Sequence, residues 1–191
     1  MKSKKGNMVN RKFLLTICMA LAVLVTNAQG KYFTKNGKIS FISKGQIEII
    51  EAQHKSVTCV MDTKTGDIQF AVLMKGFQFE KARMQEHFNE NYVESSKYPR
   101  SEFKGKIVNN SSISYSTNGT YKATVKGKLT LHGVTHDVET GGDVIVQDGK
   151  INTVADFSIL LSDYKISIPG VVKRNINNTV QISVNCLMQP L

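Results

Sequence analysis

The chain has 191 residues and carries 25 basic against 15 acidic side chains, a formal net charge of +10. Its Lys and Arg are scattered, with no aromatic ladder and no helix-turn-helix pattern, which argues against nucleic acid as a partner. No internal repeat, low-complexity tract or Pro-rich linker divides it, so its length suits a single domain.

Residues 1–28 read as a signal peptide. Lys2, Lys4, Lys5, Arg11 and Lys12 form a positive start, and Phe13 to Val25 is an uncharged, mostly apolar run of thirteen residues. Thr26-Asn27-Ala28 then places small residues where a signal peptidase cuts, so cleavage after Ala28 is expected. The run is short for a helix that must cross a hydrocarbon layer of about 30 Å, which disfavours an uncleaved anchor. Cys18 lies inside the apolar run and not at the cleavage point, which disfavours a lipoprotein. Export to the periplasm or the exterior follows. Without this segment 20 basic and 15 acidic residues remain, a net charge of +5 over 163 residues. That fits an ordinary solvated surface. It would also favour an acidic partner or transient contact with a membrane surface.

Residues 29–191 alternate apolar and polar positions with period two, as strands with one buried face do. Gly37 to Ser43 puts Ile39 and Phe41 on one face. Val57, Cys59 and Met61 share a face before a turn at Thr65-Gly66, and Asp67 to Met74 points Ile68, Phe70, Val72 and Met74 inward. Between Met84 and Gly105 the period changes. Met84, Phe88 and Tyr92 recur at i, i+4 and i+8, which stacks them along one face of a short helix, and Pro99 ends any helix before it. Such a helix would cover the open end of a barrel; the alternative is a connector packed outside.

Alternation returns with Phe103, Gly105 and Ile107. Ile113 and Tyr115 then lead to Asn118-Gly119, a strong hairpin signal. Tyr121, Ala123, Val125, Gly127, Leu129 and Leu131 share a face up to a turn at His132-Gly133, and His136 to Val146 runs back to a turn at Asp148-Gly149. Ile151 to Ile159 and Val180 to Met188 supply two more strands. The predicted fold is all-β: an antiparallel β-barrel of about eight strands with one short helix covering an end. Closure buries each apolar face and removes exposed edges. A two-sheet sandwich is the structural alternative. Small residues at inward positions (Gly105, Ala123, Gly127 and Ala155) favour a cavity over a solid core.

Catalytic signatures are missing. There is no Gly-x-Ser-x-Gly elbow, no His-Glu-x-x-His and no phosphate-binding glycine loop. His132 and His136 flank one turn and could approach a metal together, but two ligands are too few for a structural zinc site. A His at a turn more often bonds to backbone, and His87 reads as polar helix surface. No cofactor is expected.

Met84 to Gly105, the segment Gly127-Lys128-Leu129-Thr130-Leu131-His132-Gly133-Val134-Thr135 and the alternating C-terminal strand resemble the YceI-like family. The resemblance covers roughly Gly37 to Leu187, and Ile47 to Ala52 departs from the family's pattern in its region. It implies a lipocalin-like barrel in a secreted or periplasmic protein that binds polyisoprenoid lipids. Under that reading Phe70, Val72, Met74, Phe103, Leu129 and Leu131 would line the lipid site, and Met84, Phe88 and Tyr92 would cover it; a plain core role is the alternative for each. A non-enzymatic binding or scaffold module using the barrel surface is the competing function.

Cys59 and Cys186 both fall on apolar strand faces and are expected to be buried, reduced thiols. A disulfide would need Cα atoms within about 7 Å. If the first strand pairs with the last, Cys59 lies one strand too far from Cys186.

Overall fold

The long alternating runs of the sequence are strands, joined mostly by short turns. The computed structural model describes residues 30–191, and the signal-peptide segment lies outside them. In chain order the strands are β1 (Lys31–Lys44), β2 (Ile49–Asp62), β3 (Asp67–Leu73), β4 (Gln78–Phe79), β5 (Arg100–Ile107), β6 (Gly119–Leu131), β7 (Val134–Gln147), β8 (Lys150–Leu160) and β9 (Thr179–Pro190). Helix α1 (Ala82–His87) runs on into a π turn over Phe88–Tyr92.

Every strand pairing is antiparallel, in the order β1-β9-β8-β7-β6-β5-β3-β2, and β1 pairs with β2 as well as β9. The sheet therefore closes into an eight-stranded barrel, which decides between barrel and sandwich. β4 is a two-residue addition to the edge of β2, beneath α1. The β6–β7 and β7–β8 hairpins turn at His132-Gly133 and Asp148-Gly149, and all four residues have positive φ, between 50° and 74°. That is the two-residue turn whose twist matches the flanking strands.

Two expectations need correcting. Ile113 and Tyr115 form no strand: they follow a 3-10 turn at Asn110–Ser112, where Ile113 is buried and the Tyr115 hydroxyl donates to Asn110 Oδ1 at 2.6 Å. Asn118-Gly119 does not close a hairpin either. β6 begins at Gly119 and pairs with β5, while Asn118 Nδ2 donates to Asp148 Oδ1 at 3.2 Å, fastening two loops at one end of the barrel. β2 starts at Ile49, so the stretch that departs from the family's pattern is mostly strand.

Two clusters fill the interior. The end away from α1 is solid: Met61, Ile107, Ile151, Met188, Val144, Cys59 and Cys186 are fully buried there. The end under α1 is built from Val57, Val72, Met74, Phe77, Val93, Leu131, Ile159, Tyr164, Ile166 and Val180. Gly105 and Gly127 do not leave the room that their small size suggests. They pair across β5 and β6, and the ring of Phe103 lies on both: a Cβ on Gly127 would come 2.6 Å from Phe103 Cζ and 2.5 Å from the Gly105 Cα. Here two glycines accept an aromatic ring.

The thiols refine another expectation. β1 does separate β2 from β9, but its register shifts between Thr34, opposite Cys59, and Gly37, opposite Val57. A Cβ on Gly37 would lie 2.5 Å from Cys186 Sγ. With no side chain on Gly37, Cys186 Sγ fits against it, and Cys59 Sγ donates to Met188 Sδ at 3.3 Å. Both cysteines are free and buried. The neighbouring Cys186 thiol and burial push the Cys59 thiol far up, so it stays protonated and unreactive.

Candidate functional site

Above the solid end, the barrel keeps a cavity of about 540 Å³ whose wall is almost wholly apolar. All nine residues singled out in the sequence meet on it. Phe70, Val72 and Met74 come from β3 and the turn after it, Phe103 from β5, Leu129 and Leu131 from β6, and Met84, Phe88 and Tyr92 from the helical segment above. Period two brings the strand residues to one side. The helical spacing brings the last three down onto the same space.

The cover is an aromatic cluster. Phe88 stands with ring centroids 5.6 Å from Phe41 and Phe77 and 5.1 Å from Phe79. Phe41 meets Phe77 at 5.3 Å and Phe79 at 5.9 Å. Most of these are the edge-to-face or tilted contacts that aromatic quadrupoles favour. Phe77 and Phe79 were not recognised in the sequence. Their alternation in Gly76-Phe77-Gln78-Phe79 was the available signal, though it spans too few residues to announce a strand. The π turn closes with Val93 N donating to Phe88 O at 3.0 Å, and Phe79 N donates to Gln85 Oε1 at 3.4 Å.

The cover rests on two histidines. His54 is buried: Ser56 N donates to its Nδ1 at 3.0 Å, so Nε2 carries the proton and donates to Leu73 O at 3.0 Å. Its ring meets the Phe77 edge at 5.4 Å, and a Cβ on Gly76 would collide with it. Burial lowers its basicity below the ordinary histidine value, against a smaller opposing effect of the Leu73 bond. His132, in the β6–β7 turn, has Nδ1 3.0 Å from Tyr164 O and Nε2 2.6 Å from Glu94 Oε2, within hydrogen-bond distance of both. Tyr98 leans on the same ring at 4.6 Å. One side chain therefore ties the chain after the helix, and the loop after β8, to a rigid hairpin. His136 donates to Asp163 O at 2.8 Å, so both turn histidines bond to backbone rather than converge. Among the described residues no group of three or more His, Cys, Asp or Glu could hold a metal ion.

Polar groups on the cavity are few. Glu48, Lys81, Arg83, His87 and Asn175 stand at the rim of the helical end, with Lys81 Nζ 3.0 Å from Glu48 Oε1. His87 is exposed there, held by Arg83 and Asn91. Ser101 and Ser43 donate to backbone carbonyls. Thr153 Oγ1, on the wall within β8, is buried and has no hydrogen-bond partner. Nothing in this arrangement combines a nucleophile, a base and a charged site for a transition state. It can sequester an apolar body.

A structure of a polyisoprenoid binding domain from Saccharophagus degradans, implicated in plant cell wall breakdown, matches with a TM-score of 0.73 at 13% identity, over 85% of this chain and 99% of that one. BcnA from Burkholderia cenocepacia matches with a TM-score of 0.64 at 19% identity, over 80% and 95% of the two chains. The YceI protein of Campylobacter jejuni matches with a TM-score of 0.57 at 16% identity, over 71% and 82%. At such identities the likeness is one of fold. No curated protein matches the sequence. The family model of the YceI-like domain matches residues 24–188, which is nearly all of the chain, and this protein therefore belongs to the YceI-like family.

Proposed function

We propose that this protein is an exported, non-enzymatic carrier that holds a long apolar chain, of polyisoprenoid type, inside its barrel. The observation that carries the reading is the apolar cavity of about 540 Å³ under an aromatic cover. Each buried CH₂ group gains about 0.8 kcal/mol, so ten carbons give about 8 kcal/mol gross, before the losses of ligand freedom. A charged anchor is unnecessary at that scale. Selectivity then rests on cavity length and shape, with polar groups at the rim, or the unpartnered Thr153 hydroxyl, meeting any polar end of the ligand.

A polyisoprenoid binding domain shares this chain's fold, which supports the ligand class. The positive start, apolar run and Ala28 support export. Around the rim, Val171 is 93% and Ile47 60% exposed, and Lys44, Lys173 and Arg174 are exposed beside them. The two loops join where Gln46 N and Ile47 N donate to Arg174 O. Apolar tips among cations suit transient contact with an anionic membrane, from which a lipid would be drawn.

Native mass spectrometry of protein gently purified from the producing cell tests the reading. A retained hydrophobic mass, displaced by added long-chain polyprenol, is the expected result. Ligand-free protein that also fails to bind polyprenol or the apolar dye N-phenyl-1-naphthylamine would leave the surface-binding module as the better account.

A further inference from the structure

We infer that the barrel wall has a lateral portal between β7 and β8, and that the apolar chain enters the cavity through it. The inference rests on the carrier reading above and adds the route.

β7 and β8 pair from Gln147↔Lys150 only as far as Gly142↔Ala155. Beyond that point both strands continue. β7 runs on to Val134 with hydrogen bonds to β6 alone, and β8 runs on to Leu160 with hydrogen bonds to β9 alone. Other ladders stop where the neighbouring strand ends or nearly so: β2–β3 at Thr58↔Ala71, two residues before β3 ends, and β5–β6 at Ile107↔Val125, the last residue of β5. Here two strand edges face each other with their backbone groups unpaired, an arrangement that is costly in a dry wall and tolerable where water enters. The gap is spanned at its start by Thr140 Oγ1, 3.4 Å from Asp156 O, and at its far end by His136 donating to Asp163 O.

The cavity reaches this gap. Val138, Thr140 and Gly142 line it from β7, and Ala155, Phe157 and Ile159 from β8. Asp143 and Val154 also line it. These two are opposite one another in the ladder, flanked by the buried pair Val144 and Thr153, so alternation puts them on the outer face of the wall. The small residues Gly142 and Ala155, opposite each other at the last rung of the ladder, let the cavity reach the backbone of the wall where the gap begins. Gly141 sits at the same place, and a Cβ built on it would meet nothing within 4 Å.

A route here has a kinetic advantage over the end under α1. Passing the end requires the packed rings of Phe41, Phe77, Phe79 and Phe88 to separate, and the His132 ties to strain. Passing the side breaks no ladder hydrogen bond, because none is made. A flexible chain can slide in lengthwise between Val138 and Phe157, keeping apolar contact throughout.

The test closes the gap reversibly. Continuing the β7–β8 register three residues past Gly142↔Ala155 sets Glu139 opposite Ser158, both exposed and outside the cavity. In the Glu139→Cys/Ser158→Cys protein, stopped-flow uptake of N-phenyl-1-naphthylamine is measured oxidised and reduced, with the cross-link verified by mass. Oxidation is expected to slow uptake at least tenfold, and reductant to restore it, with the equilibrium affinity unchanged. If the disulfide does not form, a short bis-maleimide across the same cysteines must give the same slowing. Gly141→Trp, which has room for its side chain, is the independent variant and must slow uptake as well. Equal rates in open and closed forms overturn the portal and return the route to the helical end, leaving the carrier reading intact. Failure of the wild type itself to bind the dye or a polyprenol removes the carrier reading, and the portal with it.

Discussion

Phe88 is where the cover can be separated from the core. Its ring is half-buried and meets three other phenylalanines at 5.1 to 5.6 Å. Truncating a fully buried Phe to Ala costs about 3–5 kcal/mol, so a half-buried ring should cost about 2 kcal/mol of folding stability. Its effect on binding has another origin. Removing the ring opens the roof and returns part of the ligand chain to water. At about 0.8 kcal/mol per CH₂, exposing two groups weakens binding by about 1.6 kcal/mol, roughly fifteenfold. Phe88→Ala is therefore expected to remain folded at 25 °C, to lose about 2 kcal/mol in urea unfolding, and to bind N-phenyl-1-naphthylamine about fifteenfold more weakly. The stability loss and the affinity loss are read on the same purified sample. A stability loss of about 3 kcal/mol or more, with wild-type affinity in the folded fraction, would show that Phe88 is core and that the roof lies elsewhere.

Three further outcomes follow from single contacts. His54 is held neutral by burial, so its folded proton affinity is below the unfolded value of about 6.5; the stability it supplies is complete above that pH and is lost as pH falls below it. Thermal unfolding from pH 7 to 5 should show a drop that His54→Gln flattens, and equal slopes in the two proteins would rule out His54 as its source. Thiol titration without reductant should find no reactive cysteine in the native protein and two after denaturation, since Cys59 and Cys186 are buried and free; none in either state would mean a bridge across Gly37. Gly127→Ala should cost about 1–3 kcal/mol, because its Cβ would press on the Gly105 Cα and the Lys104 carbonyl, and backbone cannot step aside. A thermal midpoint within one degree of wild type would show that the β5–β6 pair can separate.

The alternation along each strand decided which residues face the interior, because successive side chains on a strand must point to opposite sides. Thus Phe70, Val72, Met74, Phe103, Leu129 and Leu131 could be assigned to one surface before any pairing was known. The hairpins at His132-Gly133 and Asp148-Gly149 were equally legible, since a short turn with Gly at its second position tolerates the backbone that a tight hairpin needs. The i, i+4, i+8 spacing of Met84, Phe88 and Tyr92 is local too, and it produced the helix and its apolar face.

Other features depend on which strands become neighbours, and no local pattern encodes that. β1 pairs with both β2 and β9, which turned the choice between barrel and sandwich into a closed barrel. Ile113 and Tyr115 alternate like a strand but lie in the connection from β5 to β6, where no neighbour offers them a ladder. Gly105 and Gly127 look like empty space until the Phe103 ring falls across both. Cys59 and Cys186 lie on strands that β1 separates, yet their thiols are neighbours, and Cys186 Sγ occupies the space that a Cβ on Gly37 would need. The separation of β7 from β8 past Gly142 leaves no mark in the alternation either, because an unpaired strand still presents its side chains with period two. Side-chain direction is a property of one chain segment. Hydrogen-bond partnership belongs to two, so only the tertiary structure could decide it.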